Sequence, residues 1–156
     1  MSQSEKSSHS IIRKGFTLVE LMVVIVILGL LAGLVSQQVI SYIHKARIAS
    51  VKAQIKIFKD SIDRYKIDTG EYPDNTMGLE ALISEPSGVK NWDTAGYLKD
   101  GILPKDPWDN DYDYIFTGDT QRPYEIISYG ADGQEGGEGE DADITDTEID
   151  EETEDF

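Results

Sequence analysis

The chain has 156 residues and a formal net charge of −16, with no cysteine. That length predicts one domain plus appendages. The missing cysteine excludes disulfides, thiolate catalysis and cysteine-ligated zinc. The acidic balance makes the chain a poor nucleic-acid binder. The charge is uneven: residues 131–156 carry 13 acidic side chains and no basic one, while the first 15 are slightly basic through Lys6, Arg13 and Lys14.

Residues 1–13 are polar and serine-rich and read as a disordered leader. Lys14-Gly15-Phe16-Thr17-Leu18-Val19-Glu20 follows, and residues 21–43 carry no formal charge. As a helix that run reaches about 35 Å, enough for a bilayer core of about 30 Å. A chain this small has little protein with which to surround such a helix as a buried core element. The run also exceeds an ordinary signal-peptide core, and no A-x-A site follows it.

The pattern then changes. Ile48, Val51, Ile55, Phe58, Ile62 and Tyr65 recur at intervals of three and four, the single apolar stripe of an amphipathic helix. Lysines and arginines occupy its other faces. Gly70 and Pro73 end it. One helix over residues 16–67 is predicted, apolar all round in its first half. Residues 74–84 predict a second short helix, with Thr76 as N-cap and Leu79, Leu82 and Ile83 buried. Residues 85–101 read as a loop anchored by Trp92 and Tyr97. Residues 106–110 read as a turn. Residues 112–116 and 124–129 predict two antiparallel strands packed on the helical stripe. A two-stranded hairpin is marginal alone, so a short third strand or structured loop is expected after Tyr129. A glycine- and acid-rich loop covers residues 130–144, and residues 145–156 read as a disordered acidic tail.

Glu20 is the conspicuous charge, since a carboxylate in an apolar span costs about 2.5–3.5 kcal/mol. Two readings stand. Thr17 and Glu20 form a T-x-x-E capping box, so Glu20 can satisfy amides at its own helix start. Alternatively, cleavage between Gly15 and Phe16 frees an amine on Phe16 that pairs with Glu20 of a neighbouring chain.

Residues 14–20 with the apolar run resemble the class III signal of type IV pilins and their relatives. Tyr65-Lys66-Ile67-Asp68-Thr69-Gly70-Glu71-Tyr72-Pro73, Gly78-Leu79-Glu80-Ala81-Leu82, Asp106-Pro107-Trp108 and Ser128-Tyr129-Gly130-Ala131-Asp132-Gly133-Gln134 resemble, in order, the major pseudopilins of type II secretion. The resemblance implies an α+β pilin-like fold: a long N-terminal helix on a small antiparallel sheet. It implies a cleaved leader (1–15), a transmembrane and assembly helix (16–43) and a periplasmic head (44–144), ahead of the acidic tail (145–156) that composition marks. It also implies cleavage after Gly15 by a prepilin peptidase, N-methylation of Phe16, and alignment of subunits by Glu20. The implied partners are further copies of the chain in a filament, minor pseudopilins, and the inner-membrane platform of the secretion machine. Calcium is the implied cofactor. Asp132 and Asp143 match the family's carboxylate ligands, Asp141 matches less closely, and Tyr129 and Gln134 match its main-chain carbonyl ligands. Hard oxygen donors on a glycine-rich loop suit that ion.

This chain departs from the pattern at Asp109, where relatives commonly have Gly, and near Gln37, where they often have Pro. The tail is also longer than the family's ending. Five basic residues (Lys45, Arg47, Lys52, Lys56, Lys59) follow the apolar run against three before it, so charge asymmetry alone puts the head in the cytoplasm. The resemblance puts it in the periplasm, with the N-terminus cytoplasmic. A type IV pilin-like surface fibre for adhesion, motility or DNA uptake remains the alternative. A membrane-tethered calcium module is a further one. An enzyme is the weakest: His9 and His44 are the only histidines, and no catalytic constellation can be assembled on the head.

Overall fold

The computed structural model describes residues 15–147 and 149, without the side chains of 34–38. The rest of the leader and most of the tail lie outside the described residues. The chain divides into two compact units, residues 1–41 and 42–156.

Helix α1 runs over Leu18–Thr69. It begins and ends two residues later than the apolar pattern predicts. At its start the Thr17 hydroxyl accepts the Glu20 N–H at 3.1 Å. At its end the Thr69 hydroxyl turns back to the Tyr65 carbonyl at 2.8 Å, and Gly70 takes a φ of +89°. Without a proline, α1 is continuous through position 37.

In the first unit the apolar side chains face outward: Leu18, Ile25 and Leu30 are 75%, 64% and 68% exposed. Among the described residues no helix is long and apolar enough to cross a membrane. The span expected over residues 21–43 includes the side chains of 34–38, which lie outside the described residues.

The second unit is built on the helical stripe. Val51, Ile55, Phe58 and Ile62 are wholly buried and Tyr65 nearly so. Each such side chain stabilises the fold by about 1.5–3 kcal/mol. The expected second helix is a shorter 3₁₀ helix, Gly78–Leu82, with Leu79, Ala81 and Leu82 buried. Thr76 does not cap it. The Asp74 carboxylate accepts the N–H groups of Thr76 and Met77 at 2.9 and 3.1 Å, an Asx turn that starts the turn earlier than expected. Trp92 donates to the Ala81 carbonyl at 2.8 Å and meets Tyr97 edge-on, so the connecting loop is anchored as expected.

Strands β1 (Asp113–Phe116), β2 (Tyr124–Ser128) and β3 (Ile144–Thr145) form an antiparallel sheet in the order β1-β2-β3. Tyr114 pairs with Ile126, and Ser128 with Ile144. Central β2 is the most buried strand because it has neighbours on both sides. Tyr114 and Tyr124 stack at 5.7 Å, and Phe58 meets Tyr112 edge-on at 5.1 Å, closing the sheet onto the helix.

The tail boundary expected at residue 145 is displaced. Thr145 belongs to β3, buried Asp146 accepts the Ile126 N–H at 3.1 Å, and Ile149 packs on the core. Acidic composition concealed the packing of Ile149 in this segment and of Ile144 just ahead of it.

Candidate functional site

The first candidate site is the start of α1. Gly15, Phe16 and Glu20 are all exposed, Phe16 by 76%. Gly15 has open space around it. The Thr17–Glu20 bond is half of a capping box. It engages the Glu20 amide, so the carboxylate stays accessible. A cleaved bond after Gly15 would put a free amine one turn of chain from that carboxylate. The surrounding apolar surface is far larger than a soluble monomer exposes, and it marks a face built for lipid or for partners.

The second is the loop between β2 and β3, residues 129–143. The turn ahead of β1 supports it. The Asp106 carboxylate accepts the N–H groups of Trp108 and Asn110 at 3.0 and 2.9 Å, and the Ser128 hydroxyl at 2.7 Å. Asn110 then donates to the Gly130 carbonyl at 2.7 Å. Asp109 sits at a φ of +72° in that turn. A left-handed backbone there favours glycine over aspartate.

Inside the loop, Gly130 takes a φ of +63°, and a Cβ on it would lie 2.7 Å from the Glu140 carbonyl oxygen. Only glycine lets the two ends of the loop come so close, where Ala131 N–H donates to Glu140 O at 2.8 Å. Exposed Asp132 accepts the Gln134 N–H at 3.0 Å, so those two are brought together. Half-buried Asp143 accepts the Gly136 N–H through Oδ2 at 2.9 Å. Its other oxygen, Oδ1, is buried without a hydrogen-bond partner. Tyr129 lies at the loop entrance, and its phenol donates to Asp113 at 2.9 Å. That bond, with burial, pushes the Tyr129 pKa up to about 12. Asp141 is exposed on the 3₁₀ turn Gly139–Asp141.

Among the described residues, no three His, Asp or Glu side chains gather closely enough to hold a metal ion. Asp132, Asp141 and Asp143 thus do not form a three-carboxylate cage. The donor chemistry still fits a hard cation at one point: an unpartnered buried carboxylate oxygen is costly, and an oxygen-seeking ion on Asp143 Oδ1 would relieve it.

Two contacts of the loop were not foreseen. Glu140 Oε1 lies 3.5 Å from Arg47 Nη1 and 3.9 Å from His44 Nδ1, and Arg47 sits over the Trp108 ring at 5.7 Å. Arg47 and Glu140 are 93 positions apart in the chain, and no local pattern signals the pairing.

An exposed N-terminal start, an outward-facing apolar helix and a small three-stranded head define a pilin-like α+β subunit. Residues 12–36 match the model of the prokaryotic N-terminal methylation motif. Residues 38–147 match the type II secretion system protein G model, and the chain belongs to that family. It is 49% identical to the type II secretion system core protein G of Pseudomonas aeruginosa over 85% of this chain and 93% of that one. It is 45% identical to the Vibrio cholerae core protein G over 83% and 88%. The crystal structure of the major pseudopilin of enterohaemorrhagic Escherichia coli aligns with a TM-score of 0.58 at 29% identity, covering 69% of this chain and 91% of that one.

Proposed function

We propose that this chain is the major structural subunit of a type II secretion pseudopilus. A prepilin peptidase cuts after Gly15 and the new N-terminus, Phe16, is methylated. The apolar residues 21–43 hold the subunit in the inner membrane with its head in the periplasm. Copies then polymerise through their N-terminal helices, with the Phe16 amine of one paired to Glu20 of another. Minor pseudopilins and the inner-membrane assembly platform are the other partners, and the filament drives export of folded proteins across the outer membrane. The role is structural, not enzymatic. The observation that carries this reading is the methylation motif over 12–36 running directly into the protein G match over 38–147. The outward-facing apolar start of α1 supports it, because a carboxylate in such a setting calls for a partner.

Calcium is the proposed cofactor of the 129–143 loop. Asp143 would hold it, with Asp132, Asp141 and the carbonyls of Tyr129 and Gln134 as the remaining candidate ligands. When bound, the ion supplies a cross-link between the two sides of a loop that has no disulfide.

The test is the mass and N-terminal residue of the mature protein, together with cross-linking of Glu20→Leu. A methylated Phe16, and a variant that inserts normally but loses intersubunit cross-links, is the expected result. An intact Met1, or unchanged cross-links, refutes the assembly scheme. For the metal, calcium should raise the unfolding temperature of the wild-type chain and leave Asp143→Ala unmoved. An equal response of both would remove Asp143 from the site.

A further inference from the structure

Among the described residues, three side-chain polar atoms are buried without a hydrogen-bond partner: His44 Nδ1, Trp108 Nε1 and Asp143 Oδ1. The residues that carry them line one cleft of about 310 Å³. His44, Ile48 and Lys52 form its helical wall, four residues apart on one face of α1, and Trp108 and Ile144 stand against them. That volume is at the lower end of ligand pockets, about 300–1,000 Å³.

Asp143 Oδ1 is the atom already offered to a cation, which leaves the other two. An indole N–H can only donate, so Trp108 Nε1 calls for an acceptor from outside the chain. Arg47 lies over the Trp108 ring, 5.7 Å from its centre, and brings positive charge to that wall. Glu140 Oε1, 3.5 Å from Arg47 Nη1 and 3.9 Å from His44 Nδ1, brings negative charge beside it. Arg47 and Glu140 are 36% and 44% exposed, so their mutual contact is weak enough for a ligand to replace. A simple anion would satisfy the indole but face Glu140. A simple cation would leave the indole unpaired. A ligand with an anionic acceptor and a cation side by side satisfies both.

The place of the cleft in the chain points to the source of that ligand. His44 is the first residue after the uncharged run 21–43, and Arg47 follows the end of the run by about 6 Å of helix. The headgroup layer of a bilayer reaches about 5–8 Å beyond its apolar core. We infer that this cleft binds the phosphoethanolamine headgroup of a membrane phospholipid, with its phosphate on Trp108 Nε1 and Arg47 and its ammonium on Glu140. The bound headgroup bridges α1 and the loop 129–143. The lipid source rests on the membrane reading proposed above.

The test titrates the full-length chain, ¹⁵N-labelled at its two tryptophans and held in maltoside micelles, with dihexanoylphosphatidylethanolamine, and reads the indole N–H resonances by NMR. Trp92 is the internal control, because its indole already donates to the Ala81 carbonyl at 2.8 Å. Trp108→Phe assigns the two resonances. A saturable downfield shift of Trp108 with Trp92 unmoved is expected, and Glu140→Gln should weaken the binding about tenfold. A Trp108 resonance that stays still, or moves only together with Trp92, overturns the inference. Equal affinity for dihexanoylphosphatidylglycerol, or undiminished binding in Glu140→Gln, overturns the pairing of an ammonium with Glu140. Free phosphoethanolamine binding as tightly as the lipid overturns the membrane source. Carbonate extraction of the wild-type chain from membranes checks the membrane reading separately. A chain that resists extraction but has a silent Trp108 loses only this site, whereas an extractable chain fails that reading whatever Trp108 does.

Discussion

Replacing Asp106 should unlock the head at the joint between its turn and its sheet. Asp106 is 5% exposed, and its carboxylate holds three donors: two backbone amides and the hydroxyl of fully buried Ser128. Hydrogen bonds to a charged acceptor contribute about 1.5–3 kcal/mol each, though not additively. Asp106→Ala removes all three and leaves the Ser128 hydroxyl buried without its partner. Water can reach the half-buried Trp108 and Asn110 and offset part of the loss. The net cost is about 3–5 kcal/mol, a large share of a stability of about 5–15 kcal/mol. Asp106→Asn keeps an oxygen for both amides and offers its amide group to a Ser128 hydroxyl that can also accept. It should cost only about 1–2 kcal/mol. Urea unfolding of the full-length chain in micelles, followed by far-UV circular dichroism, measures both. The double variant with Ser128→Ala should show a coupling of about 1 kcal/mol. If Ala and Asn cost the same, or Ala costs under about 1 kcal/mol, Asp106 is not the joint described here.

Asp109→Gly relieves a left-handed backbone and should stabilise the head by about 1 kcal/mol in the same assay. Gly130→Ala should destabilise it by several kcal/mol, since its Cβ meets backbone atoms at 2.7–2.9 Å, whereas Gly136→Ala meets nothing and should cost only about 1–2 kcal/mol of backbone strain. Burial raises the pKa of Tyr112, Tyr114 and Tyr124, and the bond to Asp113 with burial takes Tyr129 to about 12. Above pH 10 the unfolded chain loses protons that the folded head keeps, so the stability held below pH 10 should fall as pH rises toward 12. Tyr129→Phe should flatten part of that fall, and a flat stability curve across the window would contradict the assignment.

The linear pattern carried much of this protein. An apolar run with a single carboxylate, then a stripe at intervals of three and four, announced a helix that is apolar all round before it is one-faced. Side-chain periodicity is a local property, so Val51, Ile55, Phe58, Ile62 and Tyr65 could be assigned to the core before any fold was known. The two main strands were legible for the same reason. Tertiary structure decided what depends on residues distant in sequence. Tyr114 of β1 donates its hydroxyl to the Pro73 carbonyl at 2.9 Å, forty-one positions away. Ile144 and Ile149 drew part of an acidic tail onto the core, where apolar burial outweighs the composition around it. Glu140 found Arg47 and His44 across the head, and Asp106 found Ser128, contacts that chain folding alone creates. The loop carboxylates show the same division. Their number was visible in the sequence, but which of them carries a buried, unpartnered oxygen was decided only when the chain closed over Asp143.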